Sequence, residues 1–227
     1  MEGKVIKVNF GFVNSFIIED QGRALVDTGI NLAPDRFEKV FNELKIDPKT
    51  INLIIITHGH SDHFAHIKQL QEMTGARILC HEKAAPFIRT GENAEVVPRN
   101  WVGRIMMTIF RGKLKNYQPV EPDILIDEPF DLHDFGVRGT IVPTPGHTDC
   151  SISVLLDWGD AIVGDIMMGS PHQPDRPLPA VFANDEKAIA ESMRFLLNSN
   201  ATQFFGGHAG PFTKEAMIKR FDKVLEA

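Results

Sequence analysis

Within six positions, His58-Gly59-His60-Ser61-Asp62-His63 gathers three imidazoles and a carboxylate. The run before it, Leu53-Ile54-Ile55-Ile56, is short, apolar and mostly β-branched, and reads as a buried central strand. The cluster therefore sits where a strand hands over through a loop to a helix, a junction at which side chains can converge on one point. His58 and His60, two apart across the loop, can both face one metal ion. Asp62 and His63, at the helix start, can face a second. Imidazole nitrogen and carboxylate oxygen are donors that divalent zinc, manganese and iron accept. A merely solvated polar loop would not need four such groups in so short a stretch.

The chain supplies more ligand types in the same local style. Gly146-His147 follows a strand at Ile141-Val142, Gly164-Asp165 ends one at Ala161–Val163, and Gly206-Gly207-His208 ends one at Gln203–Phe205. Each reads as strand, glycine, ligand, and glycine lets the backbone turn sharply where a metal would sit.

The elements that must position these groups alternate along the chain. Strands are expected at Val5–Phe10, Phe16–Ile18 and Ala24–Val26, then a helix from about Pro34 to Leu44 with Phe37, Val40, Phe41 and Leu44 at helical spacing. A helix carrying Ile67 and Leu70 and a strand at Ile78-Leu79 follow the His-rich loop. Strands near Ile124–Ile126, Gly139–Val142, Ser151–Leu156 and Ala161–Val163 precede a helix at about Asp185–Leu197, the strand at Gln203–Phe205 and a last helix after Pro211. Strands and helices mix in both halves, which predicts one α+β domain over residues 1–227 with two mixed β-sheets and helices outside.

Between Pro98 and Pro119, Trp101, Val102, Ile105, Met106, Ile109 and Phe110 recur at helical spacing among Arg99, Arg104, Arg111, Lys113 and Lys115. This amphipathic, locally basic helix reads as packed on the core, as a lid over a pocket or as a homodimer interface, with membrane contact the least supported. The wider insert at about 86–122 is expected to shape a pocket, and Trp101 is a candidate substrate contact. His172, in the Pro-rich loop Ser170–Pro174, is another. His66 reads as a supporting or surface residue, His81 and His133 as surface, and Cys150 as a small buried residue. Met167, Met168 and Phe182 read as pocket wall or core.

Composition narrows the classes. The chain has 227 residues, 43% of them apolar, and a formal net charge of −6, which argues against a general nucleic-acid binder. No apolar run approaches the roughly 18 residues that span a bilayer, and the start lacks the apolar block of a signal peptide. Two cysteines make no disulfide framework, so a reducing cytoplasm is the expected location.

These motifs resemble the metallo-β-lactamase-fold hydrolase superfamily. Its His-x-His-x-Asp-His motif is matched by His58, His60, Asp62 and His63, and its other motifs by Asp27 in Leu25-Val26-Asp27-Thr28-Gly29, then His147, Asp165 and His208, in family order over roughly residues 5 to 212. The resemblance implies a four-layer αββα sandwich with two divalent ions at one edge between the sheets, zinc foremost, iron or manganese as substitutes. It implies that His58, His60 and His147 hold one ion, that Asp62, His63 and His208 hold the other, that Asp165 bridges them, and that Asp27 orients the His-rich loop. A water shared by two ions ionises near neutral pH, and Asp62 would pass a proton to the leaving group. The implied activity is hydrolysis of a small ester, thioester or related substrate by a metal-bridging hydroxide.

Departures from the branches of that family refine the expectation. The main zinc β-lactamases carry Cys where Asp165 stands, and glyoxalase II enzymes, which share this metal-site pattern, add a C-terminal helical domain. Quorum-quenching lactonases place a Tyr shortly after the bridging Asp, whereas the single Tyr here is Tyr117. A lactonase or phosphoester hydrolase remains an alternative, as does a persulfide dioxygenase-like oxidoreductase using one iron held by two His and one Asp.

Overall fold

The structure, a computed structural model of the chain, describes residues 2–30, 35–110, 117–170 and 173–226. The first half builds β1 (Lys4–Asn9), β2 (Asn14–Glu19), β3 (Arg23–Val26), α1 (Arg36–Leu44), β4 (Ile51–Ile56), α2 (Ser61–Phe64), α3 (Ile67–Thr74), β5 (Arg77–His81), α4 (Ala85–Thr90), α5 (Trp101–Phe110) and β6 (Ile124–Ile126). The second builds β7 (Phe130–Asp131), β8 (Gly139–Pro143), β9 (Ile152–Leu156), β10 (Asp160–Ile162), β11 (Met167–Ser170), β12 (Gln173–Pro179), α6 (Glu186–Asn198), β13 (Gln203–Gly206), β14 (Ala209–Thr213) and α7 (Lys214–Glu226).

Two six-stranded mixed sheets result, ordered β1-β2-β3-β4-β5-β6 and β14-β13-β10-β9-β8-β7. The period-2 alternation of strands assigns the layers. Leu53 and Ile55 of β4, with Ala24 and Val26 of β3, join Val154, Ile162 and Phe205 of the second sheet in one apolar cluster between the sheets. Ile54, Ile56 and Leu25 point the other way, against Phe37, Val40 and Phe41 of α1 and Ile67 and Leu70 of α3. On the far side, Ala161 and Phe204 pack on Ile189, Met193, Leu196 and Leu197 of α6 and on Met217 and Phe221 of α7. Helices, sheet, sheet, helices is the expected α+β sandwich.

Local chemistry sets the element ends. Asp185 caps α6, its Oδ1 accepting from the Lys187 and Ala188 amides, so the helix starts where the sequence places it. Three details differ from expectation, and a further one, the placing of α5, chooses among the alternatives left open. Met167–Ser170 and Gln173–Pro179 pair as the antiparallel strands β11 and β12, where the expectation placed no strand and read Ser170–Pro174 as a loop; they form a two-stranded sheet of their own, whose strands are all edges and so tolerate Pro177 and Pro179. β14 precedes the last helix, pairing with β13. The described part of the 98–119 helix is α5 alone, and it is not packed on the core: Trp101, Ile105 and Ile109 are exposed. Lastly, His81 is buried at the end of β5, where its Nδ1 accepts from the Lys83 amide, rather than lying on the surface. Pro34, Arg111, Lys113, Lys115 and His172 lie outside the described residues.

Candidate metal centre

Five strands deliver the candidate ligands from their C-terminal ends. β3 and β4 run parallel, and they end at Asp27 and at the His-rich loop. β10 and β13 also run parallel, ending at Asp165 and His208, and β8 shares their direction through two antiparallel steps across β9, ending at the His147 loop. The site therefore straddles the edge between the sheets. Backbone bonds stitch that edge: the Ile152 amide donates to the Thr57 carbonyl (2.9 Å) and the Asn14 amide to the Gly207 carbonyl (2.7 Å).

Asp27 organises the first sheet's share. Its φ of +59° is a left-handed conformation that Asp tolerates better than most residues. That turn aims a fully buried carboxylate at three donors: the Thr57 amide (2.8 Å), the Thr57 hydroxyl (2.8 Å) and His63 Nδ1 (2.7 Å). Thr28 adds a second grip, its amide donating to the His63 carbonyl (2.6 Å) while its Oγ1 accepts from the His66 amide (3.1 Å).

Each of five imidazoles is held by one ring nitrogen so that the other faces the centre. His60 Nε2 donates to the Glu95 carbonyl (3.2 Å), His147 Nδ1 to the Phe182 carbonyl (2.9 Å) and His208 Nδ1 to the Phe12 carbonyl (2.6 Å). His63 Nδ1 is spent on Asp27. The Thr57 hydroxyl donates to Asp27, so its oxygen accepts from His58 Nδ1 (3.0 Å). Outward bonds of this kind fix tautomer and ring orientation around metals.

The inward atoms form two groups. His60 Nδ1 lies 3.1 Å from His58 Nε2 and 3.0 Å from His147 Nε2. Burial, with neighbouring His63, keeps His58 well below its usual pKa, burial and His147 bring His60 down to about 4, and burial also lowers His147. These three rings are thus neutral, and with their N–H groups turned outward three lone pairs converge on one point. Such an arrangement is repulsive unless a cation occupies the middle. Its spacings are close to the edge of about 3.3 Å expected for donors set tetrahedrally at zinc distances.

The second group is His63 Nε2, His208 Nε2 and Asp62 Oδ2, with separations of 3.5 Å (His208 to Asp62) and 3.9 Å (His63 to Asp62). Asp165 Oδ2 reaches both groups: 2.9 Å from His208, 3.5 Å from His63, 3.7 Å from His147 and 4.0 Å from His58. Burial opposes charge on His63 and His208, but Asp165 with its neighbouring carboxylates outweighs it, holding His63 well above its usual value and His208 at about 9. Burial likewise opposes charge on Asp165, yet His208 and His63 hold it well below the usual carboxylate range. This half of the centre calls for positive charge. His63 Nε2 and Asp165 Oδ1 are buried without a hydrogen-bond partner, and a Cβ on Gly207 would come within 2.3 Å of Asp165 Oδ1. The donor set therefore fits two cations.

The centre opens into a cleft of about 1360 Å³, with His60, Asp62, His147, Asp165 and His208 at its floor. Its walls are largely apolar, with Phe12, Ile30, Met106, Met107, Met168 and Phe182 among them. Met167, by contrast, is core. Trp101 is 72% exposed and is not among the described residues lining the cleft, where α5 instead contributes Arg104, Met106, Met107 and Thr108. His66 turns away, its ring bonded to Gln69 and the Ile30 carbonyl. Cys150 is buried beside Thr148, and burial raises its thiol pKa. Tyr117 packs edge-on to Phe64 behind α2 and does not line the cleft. The carbonyls of Phe12, Glu95 and Phe182 carry no sequence signal, since any residue offers one. Thr57 could have been found from its place next to His58.

The profile of the metallo-beta-lactamase superfamily matches residues 8–208. A probable metallo-hydrolase of Methanocaldococcus jannaschii is 28% identical over 164 residues, 71% of this chain and 71% of that protein. The probable metallo-hydrolase YflN of Bacillus subtilis is 25% identical over 224 residues, 88% of this chain and 77% of its own length. Among solved structures, the Rm3 metallo-beta-lactamase aligns with a TM-score of 0.69 at 19% identity, covering 99% of this chain and 90% of that one. A metallo-beta-lactamase family protein from Thermus thermophilus gives 0.67 at 21%, covering 99% and 78%. At those identities the structural likeness concerns the fold alone.

Proposed function

This chain belongs to the metallo-beta-lactamase superfamily and is a metal-dependent hydrolase, and from that premise we propose that it holds two divalent ions, zinc in both positions, and cleaves a small ester or thioester. The observation that carries the reading is Asp165 Oδ2, one oxygen within reach of both donor groups. His58, His60 and His147 would hold one ion, Asp62, His63 and His208 the other, with Asp165 shared. When bound, such a pair lowers the pKa of a water towards roughly 7 and polarises the substrate carbonyl.

The remaining work falls to the protein. Asp62, on the cleft floor, orients the attacking water and holds the proton that the leaving oxygen or sulfur takes as its bond to the acyl carbon breaks. Burial of the histidines excludes bulk water beneath the floor. The cleft exceeds the roughly 300–1,000 Å³ of pockets for drug-sized ligands, and its apolar walls suit a substrate with a sizeable hydrocarbon arm.

Elemental analysis of the native-host protein, followed by an ester and thioester panel, tests this. Two metals per chain and turnover abolished by chelation and restored by zinc are expected. Asp165→Asn should weaken both metals together and lower kcat at least ~100-fold. A single iron per chain, or loss of only one metal in the variant, would overturn the dinuclear assignment.

A further inference from the structure

Residues 93–95 belong to no helix or strand, yet they hold the His-rich loop at three consecutive positions. Asn93 Oδ1 accepts from the Ser61 amide (2.7 Å), the Ala94 amide donates to the Gly59 carbonyl (2.8 Å), and the Glu95 carbonyl accepts from His60 Nε2 (3.2 Å). On the side of residues 93–95, two of these bonds use main-chain groups, which most residues could offer. The bond from Asn93 alone needs its side chain. The two segments approach this closely because residue 59 is glycine: a Cβ there would stand 2.7 Å from Phe87 Cδ2 of α4 and 3.3 Å from Ala94 Cβ. Segment 93–95 is itself anchored on both sides, the Glu92 amide donating to the Phe87 carbonyl (3.1 Å) and the Ala183 amide to the Val97 carbonyl (2.9 Å).

The start of α2 explains the need for that side chain. A helix leaves its first amides without intrahelical partners, and the side chain at the cap position commonly takes one of them. The cap position of α2 is His60, whose side chain makes no capping bond. Its ring is committed elsewhere, Nε2 to the Glu95 carbonyl and Nδ1 towards His58 and His147. Asn93, 32 residues away along the chain, supplies the missing acceptor to Ser61. The orientation of its amide is set, since Nδ2 donates to the Ala94 carbonyl (2.6 Å). Asn93 is half-buried and lines the cleft. Asp62 and His63 follow Ser61 directly in the first turn of α2 and supply two of the three atoms of the second donor group. We propose that Asn93 is a positioning residue: by capping α2 from outside, it aims Asp62 and His63 at the metal centre and Asp62 at the proton it is to carry.

The test loads the full-length protein with cobalt(II) against a competing chelator and records the visible bands of the bound ion. Asn93→Ala should lower cobalt affinity by roughly tenfold or more and shift those bands. Asn93→Gln carries the same groups one methylene further out, so it misplaces the acceptor and should do likewise, which keeps the comparison available if Asn93→Ala does not fold. Asn93→Asp keeps an acceptor that caps as well as Asn and should restore affinity and bands to near the wild type. On an ester and thioester panel, Asn93→Ala should lower kcat with KM little changed. The kcat effect rests on the hydrolase reading proposed above, whereas cobalt binding needs no turnover, so the two can fail separately. Wild-type cobalt affinity and bands in the Ala and Gln variants would overturn the proposal. So would a fall in the thermal midpoint of the metal-free protein with cobalt binding untouched, which would make Asn93 a structural support only, or failure of Asn93→Asp to restore binding.

Discussion

Asp27 shows how much one side chain can set. Its two oxygens accept from the Thr57 amide, the Thr57 hydroxyl and His63 Nδ1, so a single carboxylate fixes the exit of β4 and the ring of a candidate ligand, and reaches His58 through Thr57. Replacement by Asn preserves shape and tolerance of the left-handed backbone, but it removes the charge and turns an N–H₂ group towards one of the donors. Asp27→Asn should therefore leave the fold intact and lower metal affinity by roughly 10–100-fold. Titration against a competing chelator measures this; wild-type affinity in the variant would show that the bonds to Asp27 do not tune the centre.

At the scale of elements, the His147 loop depends on α6. The Asn184 and Asp185 amides both donate to the Gly146 carbonyl, and Ser192 Oγ donates to the Pro145 carbonyl (2.8 Å), so the helix start clamps the turn that presents the histidine. Gly146 has φ +133°, and a Cβ there would lie 2.3 Å from the Ile189 amide nitrogen. Gly146→Ala should cost about 2 kcal/mol or more of stability, through strain and overpacking against α6. Under the proposed dinuclear assignment it should also weaken metal binding at His58, His60 and His147 more than at Asp62, His63 and His208. Denaturant unfolding with per-site metal occupancy reads both effects, and a variant with unaltered stability would mean that the loop is not held by the helix.

At the scale of the whole molecule, the sheets are pinned at both ends. The metal edge carries the Asn14–Gly207 and Thr57–Ile152 bonds, and the other end of β2 carries Asp20, whose buried carboxylate takes two hydrogen bonds from the Arg138 guanidinium and one from its amide, all 3.0 Å. Those bonds hold Asp20 below the usual carboxylate range, against the opposing effect of burial. A depressed folded-state pKa means stability that is present above the unfolded value, near 4, and lost as pH falls through the folded one. Asp20→Asn should thus cost about 1–3 kcal/mol at neutral pH, and the gap to the wild type should narrow on acidification. Urea unfolding as a function of pH checks this; a gap that widens in acid would contradict the assignment.

The candidate ligands, the strand-to-turn junctions that carry them and the layered α+β class were all legible in the sequence, because each is local: a period-2 apolar run, a glycine, a histidine. His81 was misread and the place of α5 was left open for the same reason, since burial and exposure depend on what the rest of the chain places alongside. Only the tertiary structure decided that candidate ligands as far apart in sequence as His58 and His208 meet at one edge, that carbonyls of Phe12, Glu95 and Phe182 orient the rings of His208, His60 and His147, and that the stripe of α5 faces outward. Spacing along the chain fixes direction over a few residues, whereas convergence across the chain follows from how two sheets stack.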